Sequence, residues 1–147
     1  MPERKTVPDA LHYDPETNAG LRERIYAKAL CRDYNLLHPG EMNAQREIIR
    51  KLLGRAGDNF YIVQPFFCDL GYNIFIGDNF FANHNLVILD TDKVTFGNNV
   101  FIGPNCGFYA AEHPIDAGRR NAGVFFSRPI SVGDDVWFGG QVSVIPV

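Results

Sequence analysis

The 147-residue sequence has little of what membrane, secreted and metal-binding proteins usually show. It has three cysteines, Cys31, Cys68 and Cys106, whose long spacings and lack of a CxxC pair argue against a disulfide framework or a zinc cage. No apolar run approaches the ~18 residues that span a bilayer, and residues 1–11 lack the apolar core of a secretion signal. The net charge of −3 gives no broad attraction to nucleic acid or anionic lipid. These absences predict a soluble, cytoplasmic protein with reduced thiols that binds neither nucleic acid nor membrane.

The residues that are present change in character near positions 55–60. Before this point, apolar residues recur at helical spacing over residues 21–37, with Asn18 as a plausible N-cap. Pro39 ends this run, and a second helix is predicted over residues 41–53, with Gly54 as its C-cap. Two short amphipathic helices cannot bury their apolar faces against each other alone, so we expect them to pack on a larger body.

A six-residue period dominates the chain after residue 60. The segment Ile76-Gly77-Asp78-Asn79 returns as Phe96-Gly97-Asn98-Asn99 and as Val132-Gly133-Asp134-Asp135. Short strands joined by turns at this period predict a three-sided coil of parallel strands, with one apolar residue per unit on the axis and left-handed backbone at asparagine corners. Turns of eighteen residues would make the stretch from Phe96 to Val132 two turns. An antiparallel β-sandwich is the alternative, but it requires no fixed period. The predicted axial residues are Ile76, Ala82, Ile88, Phe96, Ile102, Phe108, Val132, Phe138 and Val144.

The chain resembles the maltose, galactoside and nodulation O-acetyltransferases of the hexapeptide-repeat superfamily, and the maltose enzymes most closely. The resemblance lies in residues 21–35, 71–83, 111–115 and 136–140. It implies a mainly β fold, a left-handed parallel β-helix with a small N-terminal helical cap. The expected domains are the maltose-acetyltransferase-like helical segment 1–56 and the β-helix 57–147. It also implies acetyl-CoA as co-substrate, no metal, and a homotrimer with sites at the subunit interfaces.

His113 is the predicted general base. Transfer of an acetyl group from a thioester to a sugar hydroxyl needs a group that takes the hydroxyl proton, and imidazole titrates near neutrality. His113 precedes Pro114 and opens the long excursion 114–128, where a regular coil gives way to a loop. An ordinary surface histidine beside a proline turn is the alternative from the residues alone; the family match favours catalysis. Glu112 either orients His113 or is a solvated neighbour.

The resemblance also implies a set of residues around the acceptor sugar. Asn83 corresponds to the asparagine that binds the acceptor beside the histidine, although a corner asparagine in left-handed conformation is an alternative. Carboxylates suit sugar hydroxyls, and an apolar residue overhangs the acceptor in relatives. The predicted acceptor contacts are Asn83, Asp69, Phe81, Asp90, Asp14 and Phe125.

Trp137, Gly139 and Gly140 match the coil that borders coenzyme A in the family. The backbone N–H of Gly140 is a candidate donor to the developing oxyanion, and the repeat itself does not require glycine there. Gly139 as a simple corner residue and Trp137 as a flanking aromatic are the alternatives. Cys68 and Cys106 lack a nearby base motif, so direct transfer without a covalent intermediate is expected.

Other features bear on assembly and on competing functions. Aromatic residues outside the axis favour a trimer, namely Phe66, Phe67, Phe75, Phe80 and Phe101. The chain stops at Val147 in mid-coil, where relatives continue with further coils, so we expect a truncated member. The competing functions are a zinc carbonic anhydrase, for which three grouped histidines are missing from the coils, and a non-catalytic trimeric scaffold or inactive truncated relative. Maltose, glucose and galactosides suit the predicted pocket equally.

Overall fold

The computed structural model describes residues 5–7 and 19–146. Two helices open the larger segment, α1 (Ala19–Leu36) and α2 (Met42–Leu52), close to the predicted ranges. The proposed Asn18 cap lies outside the described residues. The prediction of Gly54 as C-cap is wrong, because the C-cap of α2 is Leu53, which is extended (φ −83°, ψ 151°) and donates its N–H to the Ile49 carbonyl. None of the helices in the described ranges is both long and apolar enough to cross a membrane.

The rest of the described chain consists of short strands that stack into a three-sided β-helix. The strands are β1 (Lys5–Val7), β2 (Phe60–Ile62), β3 (Phe66–Cys68), β4 (Ile74–Phe75), β5 (Phe80–Ala82), β6 (Leu86–Leu89), β7 (Val94–Phe96), β8 (Val100–Ile102), β9 (Gly107–Tyr109), β10 (Ala111–Glu112), β11 (Phe125–Ser127), β12 (Ile130–Val132), β13 (Trp137–Phe138) and β14 (Ser143–Val144). Face 1 contains β4, β7 and β12, face 2 contains β2, β5, β8 and β13, and face 3 contains β3, β6, β9 and β14, all paired in parallel. A separate antiparallel sheet joins β1, β11 and β10.

The coil length differs from the prediction of eighteen residues. Register partners on neighbouring coils are twenty residues apart, as in Phe80 with Val100, because the corner after face 3 uses two residues more than the six-residue unit. Phe96 pairs directly with Val132. The interpretation of this stretch as two turns is therefore wrong. It is one coil enlarged by an excursion that contains β10, the short helix α3 (Ala117–Asn121) and β11.

Two side chains per strand point inward on most strands, rather than the one predicted. On β5, Phe80 and Ala82 are buried while Phe81 between them faces outward. Phe80 of this extra row packs on rings of the predicted row, and the successive rings of Phe80, Phe96, Phe108 and Phe138 form edge-to-face contacts with centroid distances of 5.3, 4.9 and 5.1 Å. Phe66 belongs to the same interior, so its assignment and that of Phe80 to an outer apolar face are wrong.

The corners follow the predicted asparagine chemistry. Positive φ values occur at the same corner of successive coils, at Asn79 (53°) and Asn99 (55°) and at Asn85 (63°) and Asn105 (58°). Their side-chain amides also bond to one another along the coil axis, with Nδ2–Oδ1 distances of 2.9 Å from Asn79 to Asn99 and from Asn85 to Asn105. Asparagine tolerates the left-handed region, and the ladder links the amide of one coil to that of the next.

The helical cap covers the lower edge of the first coil. The Asn35 side chain donates to the Phe66 carbonyl (3.0 Å) and accepts from the Phe66 N–H (2.9 Å), and Tyr34 donates to the Ile62 carbonyl. These bonds satisfy backbone groups that a first coil would otherwise leave open at its edge. The larger body on which the helices were expected to pack is therefore the β-helix itself.

Candidate functional site

The structure divides the predicted site residues between two corners of the β-helix. The first, here called the histidine corner, follows face 3 and carries Asp69, Asp90 and the excursion with His113. The second, here called the asparagine corner, follows face 2 and carries Asn83, Gly139 and Gly140. Asp14 lies outside the described residues.

His113 directly follows β10 on the excursion and is exposed. Its ring lies 6.3 Å from the ring of Phe125, which is buried on the partner strand β11. The imidazole has no hydrogen-bond partner within the described part of the chain, which leaves both ring nitrogens open to a ligand. A rigid hairpin with one open, titratable ring suits the transfer of a proton.

Glu112 has a different partner from the one considered. Its carboxylate lies 3.7 Å from the Arg128 guanidinium, across the pairing of β10 with β11. Glu112 therefore helps to close the hairpin. It neither orients the His113 ring nor is simply a solvated neighbour, which were the two expectations from the sequence.

Asp90 sits beneath the histidine corner with a fully buried side chain. Its carboxylate accepts from the backbone N–H groups of Asp69 (3.1 Å), Leu70 (2.8 Å) and Asn73 (3.3 Å). A carboxylate that is occupied in this way holds the loop of the coil below and has no face free for a sugar. We therefore correct its sequence-based assignment as an acceptor contact to a structural role.

We expect Asp90→Asn to flatten the pH dependence of stability. Burial raises the pKa of the Asp90 carboxyl above 3.8, although the backbone N–H groups oppose this shift. The folded chain then binds more protons than the unfolded chain between the two pKa values, so the contribution of Asp90 to the free energy of unfolding is full below pH 3.8 and falls as pH rises through the folded pKa. Urea unfolding of both proteins from pH 3.5 to 7 measures the free energy of unfolding at each pH. If that free energy changes with pH as steeply in the variant as in the unchanged protein, the assignment is contradicted.

Asp69 is half-buried one coil below Asp90. Burial raises the pKa of its carboxyl, and the positive charges of Arg24 and Lys28 on α1 oppose that shift. The carboxylate therefore faces the helical cap, at a position where it still borders solvent. Of the two carboxylates predicted at this corner, Asp69 is the one available to a ligand.

Asn83 lies at the asparagine corner, but its backbone is not in the left-handed conformation that was the alternative explanation for an asparagine at this position. Positive φ belongs to Asn85 instead, and the Asn83 Oδ1 accepts from the His84 N–H (2.8 Å). Its Nδ2 has no partner in the portion that the structure describes. The corner geometry therefore does not explain why an asparagine stands here, and its amide can donate to a ligand.

Three residues of the asparagine corner stack in a column that runs toward the upper coil. The Asn83 N–H bonds to the Ile102 carbonyl and the Gly103 N–H to the Phe138 carbonyl, which stacks Asn83, Gly103 and Gly139. Two spacings between coils place Gly139 roughly 10 Å from Asn83. A Cβ added to Gly103 would lie 2.7 Å from the backbone of Gly139 and Gly140, so the coils pack closely here, whereas a Cβ on Gly139 would meet nothing within 4 Å.

Outward aromatic side chains lie beside this column on face 2. Trp137, Phe101 and Phe81 share one register position on successive coils, and Trp137 is 78% exposed. Gly140 is exposed, and its N–H has no hydrogen-bond partner among the residues described. This side of the β-helix therefore combines a row of aromatic side chains with a free backbone donor at its upper end.

Within one chain the two corners do not meet. The strand β6 and its flanking residues separate Asn83 from Asp90, and seven extended residues cover on the order of 20 Å. The structure brings His113 together with Phe125 and brings Asn83 into line with Phe81, Gly139, Gly140 and Trp137. It does not bring the two groups together.

Sequence reasoning missed a polar contact at the histidine corner. The hydroxyl of Ser127 donates to the hydroxyl of Thr91 (2.7 Å), and Ser127 pairs with Ala111 on the hairpin. This contact fastens the excursion that bears His113 to the coil beneath it. The six-residue period gives no signal for it, because both residues lie outside the repeated positions.

Comparison with known proteins agrees with this geometry. A family model described as a maltose acetyltransferase hexapeptide capping motif matches residues 11–57. A Saccharomyces cerevisiae protein to which an acetyltransferase activity is provisionally assigned is 52% identical over 95% of this chain and 71% of its own length. The chain belongs to the maltose and galactoside O-acetyltransferase family.

Solved structures of the family show the same architecture. A maltose O-acetyltransferase from Clostridium difficile 630 superimposes with a TM-score of 0.86 at 41% identity, over 88% of this chain and 69% of that one. A galactoside acetyltransferase in complex with coenzyme A also gives 0.86, at 34% identity, over 97% and 68%. The three-sided coil is thus a left-handed parallel β-helix of hexapeptide repeats, as predicted, and the chain spans about 70% of the length of these relatives.

Proposed function

We propose that this protein transfers the acetyl group of acetyl-CoA to a hydroxyl group of a sugar. The observation that carries the proposal is the position of His113, an exposed imidazole on an anchored hairpin in a member of an O-acetyltransferase family. As general base, His113 takes the hydroxyl proton while the sugar oxygen attacks the thioester carbonyl. The tetrahedral intermediate then collapses with release of coenzyme A, and no covalent enzyme intermediate is involved.

The surface beside the asparagine corner is proposed to form the channel for acetyl-CoA. One relative is described in complex with coenzyme A. The apolar wall of Phe81, Phe101 and Trp137 suits the pantetheine chain, and the free N–H of Gly140 is the proposed donor to the oxyanion. A donor aimed at a developing oxyanion contributes about 3 kcal/mol in other acyl transferases.

The proposed acceptor site contains Asn83, Asp69, Phe81 and Phe125 near His113, with Asp14 left as a sequence-based expectation. Because Asn83 and His113 occupy different corners of one chain, the acceptor site requires the histidine corner of one copy and the asparagine corner of the next. Such a head-to-tail contact closes into a ring, and a trimer is the assembly that the family resemblance implies.

A thiol-release assay with acetyl-CoA and a panel of glucose, maltose and galactosides tests the proposed function. We expect release of coenzyme A that depends on a sugar. Tight binding of acetyl-CoA without release by any sugar would instead support a non-catalytic scaffold. If neither binding nor release occurs, the same assay on the chain extended by the C-terminal coils of a relative decides whether those coils are needed or the proposal fails.

Gly140→Ala tests the donor channel with little structural cost. The new Cβ would lie 3.4 Å from the Pro104 carbonyl oxygen, an ordinary contact, and the backbone has no positive φ that would oppose alanine. Alanine keeps the backbone N–H but places a methyl group in the proposed channel. We therefore expect the KM for acetyl-CoA to rise and kcat/KM to fall by roughly 10-fold or more. Steady-state kinetics measures this effect.

Gly133→Ala is the matched control, because its Cβ would also meet no crowded atom and it lies at a different corner. It should leave both constants unchanged. Equal effects of the two substitutions would argue against a specific role for Gly140.

A further inference from the structure

Two cysteines meet where the helical cap joins the β-helix. Cys31 on α1 and Cys68 on β3 are separated by thirty-seven positions, yet their sulfur atoms lie 3.7 Å apart. Both side chains are almost fully buried, at 3% and 5% exposure. The third cysteine, Cys106, lies elsewhere and points its thiol at the Gly139 carbonyl (3.1 Å).

A cleft reaches this pair from the surface. It has a volume of about 470 Å³ and is lined by Lys28, Cys31, Arg32, Leu36, Phe67 and Cys68, among others. This volume is large enough for a small molecule to reach the sulfur atoms.

We propose that Cys31 and Cys68 form a hydroperoxide-reactive dithiol that closes into a disulfide between the cap and the first coil. Closing the bond brings the sulfur atoms from 3.7 Å to about 2.05 Å, a movement of less than 2 Å. The ligand class is a small hydroperoxide, ROOH, that enters by the cleft.

The two thiols take different parts in the reaction. The contact between the two sulfur atoms lowers the pKa of Cys31 against the opposing effect of burial, whereas the same contact and burial raise the pKa of Cys68. The Cys31 thiolate attacks one peroxide oxygen, the O–O bond breaks, and ROH leaves after protonation, so that Cys31 becomes a sulfenic acid. The Cys68 sulfur then attacks the Cys31 sulfur, the S–O bond breaks, and water leaves. In sum, two thiols and ROOH give a disulfide, ROH and water, and the peroxide receives two electrons.

The disulfide ties α1 to the coil next to Asp69, since Asp69 directly follows Cys68. The bond would also constrain the unfolded chain across the segment between the two cysteines. Oxidation should therefore raise the thermal midpoint of unfolding by several degrees, and a thiol reductant should reverse the rise. The inference stands apart from the proposed acetyl transfer, because mass and thermal stability report it without any assay of activity.

Treatment of the purified chain with hydrogen peroxide, followed by intact mass and peptide mapping, tests the inference. We expect the loss of two hydrogen atoms per chain and a peptide pair that joins Cys31 to Cys68. Cys106→Ser is the control and should behave like the unchanged chain. The inference would be overturned if all three thiols of the folded chain survived the peroxide treatment. A disulfide that uses Cys106 would also overturn it.

The order of the steps is tested with dimedone, a reagent that traps sulfenic acids. Cys68→Ser should accumulate a dimedone adduct on Cys31, whereas Cys31→Ser should show none on Cys68. The reverse pattern would overturn the assignment of Cys31 as the reacting thiol. The peptide map of the unchanged chain still decides on the disulfide if either serine variant fails to fold.

Discussion

Replacing His113 by alanine should lower kcat for acetyl transfer by about 10²- to 10⁴-fold and leave the KM for acetyl-CoA nearly unchanged. Without the imidazole, no group at the histidine corner takes the hydroxyl proton as the sugar oxygen attacks. The side chain is exposed and its ring contacts that of Phe125, so its removal costs little stability. Steady-state thiol-release kinetics and a thermal melt of each protein measure the two effects.

His84→Ala is the matched control for this substitution. His84 is also exposed, but it lies at the asparagine corner next to Asn83. Its backbone N–H, not its ring, makes the bond to Asn83, so alanine preserves that contact. We expect kcat within roughly threefold of the unchanged enzyme. If His113→Ala were equally mild, the general base would have to be another group.

Mixing two inactive variants should restore activity, because the proposed site is shared between copies. Asn83→Ala removes the amide that is proposed to donate a hydrogen bond to the sugar at the asparagine corner. His113→Ala removes the proposed base at the histidine corner. Each homotrimer then has three damaged sites. In a mixed trimer, a His113→Ala subunit can contribute an intact Asn83 to the intact His113 of its neighbour.

The ring geometry sets the size of the expected recovery. Each site draws its histidine and its asparagine from different subunits, so in a mixed trimer of either ratio about one third of the sites carry both native residues. Co-expression with two different affinity tags, followed by tandem purification and the thiol-release assay, measures this fraction. Mixed trimers as inactive as the separate variants would show that both residues act within one chain.

The repeat predicted most of the fold, since a fixed period reflects the stacking of one strand on the next. It failed where an extra two residues enter each coil and where the excursion is inserted. Phe96 and Val132 are neighbours on face 1, but the sequence between them contains β10, α3 and β11. Period counting cannot separate an insertion from a second turn when the extra length is close to one coil.

The site was less predictable than the fold. The chemistry of Asp90 and Asp69 is the same in sequence, yet one carboxylate is enclosed by backbone N–H groups and the other borders solvent. The separation of His113 from Asn83 depends on which corner each occupies, and that follows only from the coil register. The proximity of Cys31 to Cys68 depends on how α1 docks on the first coil, which no local pattern encodes.

The most direct test of the central claim is to follow both products of one reaction. The unchanged enzyme is incubated with acetyl-CoA and an accepting sugar, while free coenzyme A is measured by thiol titration and acetylated sugar by mass spectrometry. Direct transfer predicts equal amounts of the two products at every time point. Coenzyme A released without acetylated sugar would contradict transfer to a sugar and would identify the reaction as hydrolysis of the thioester.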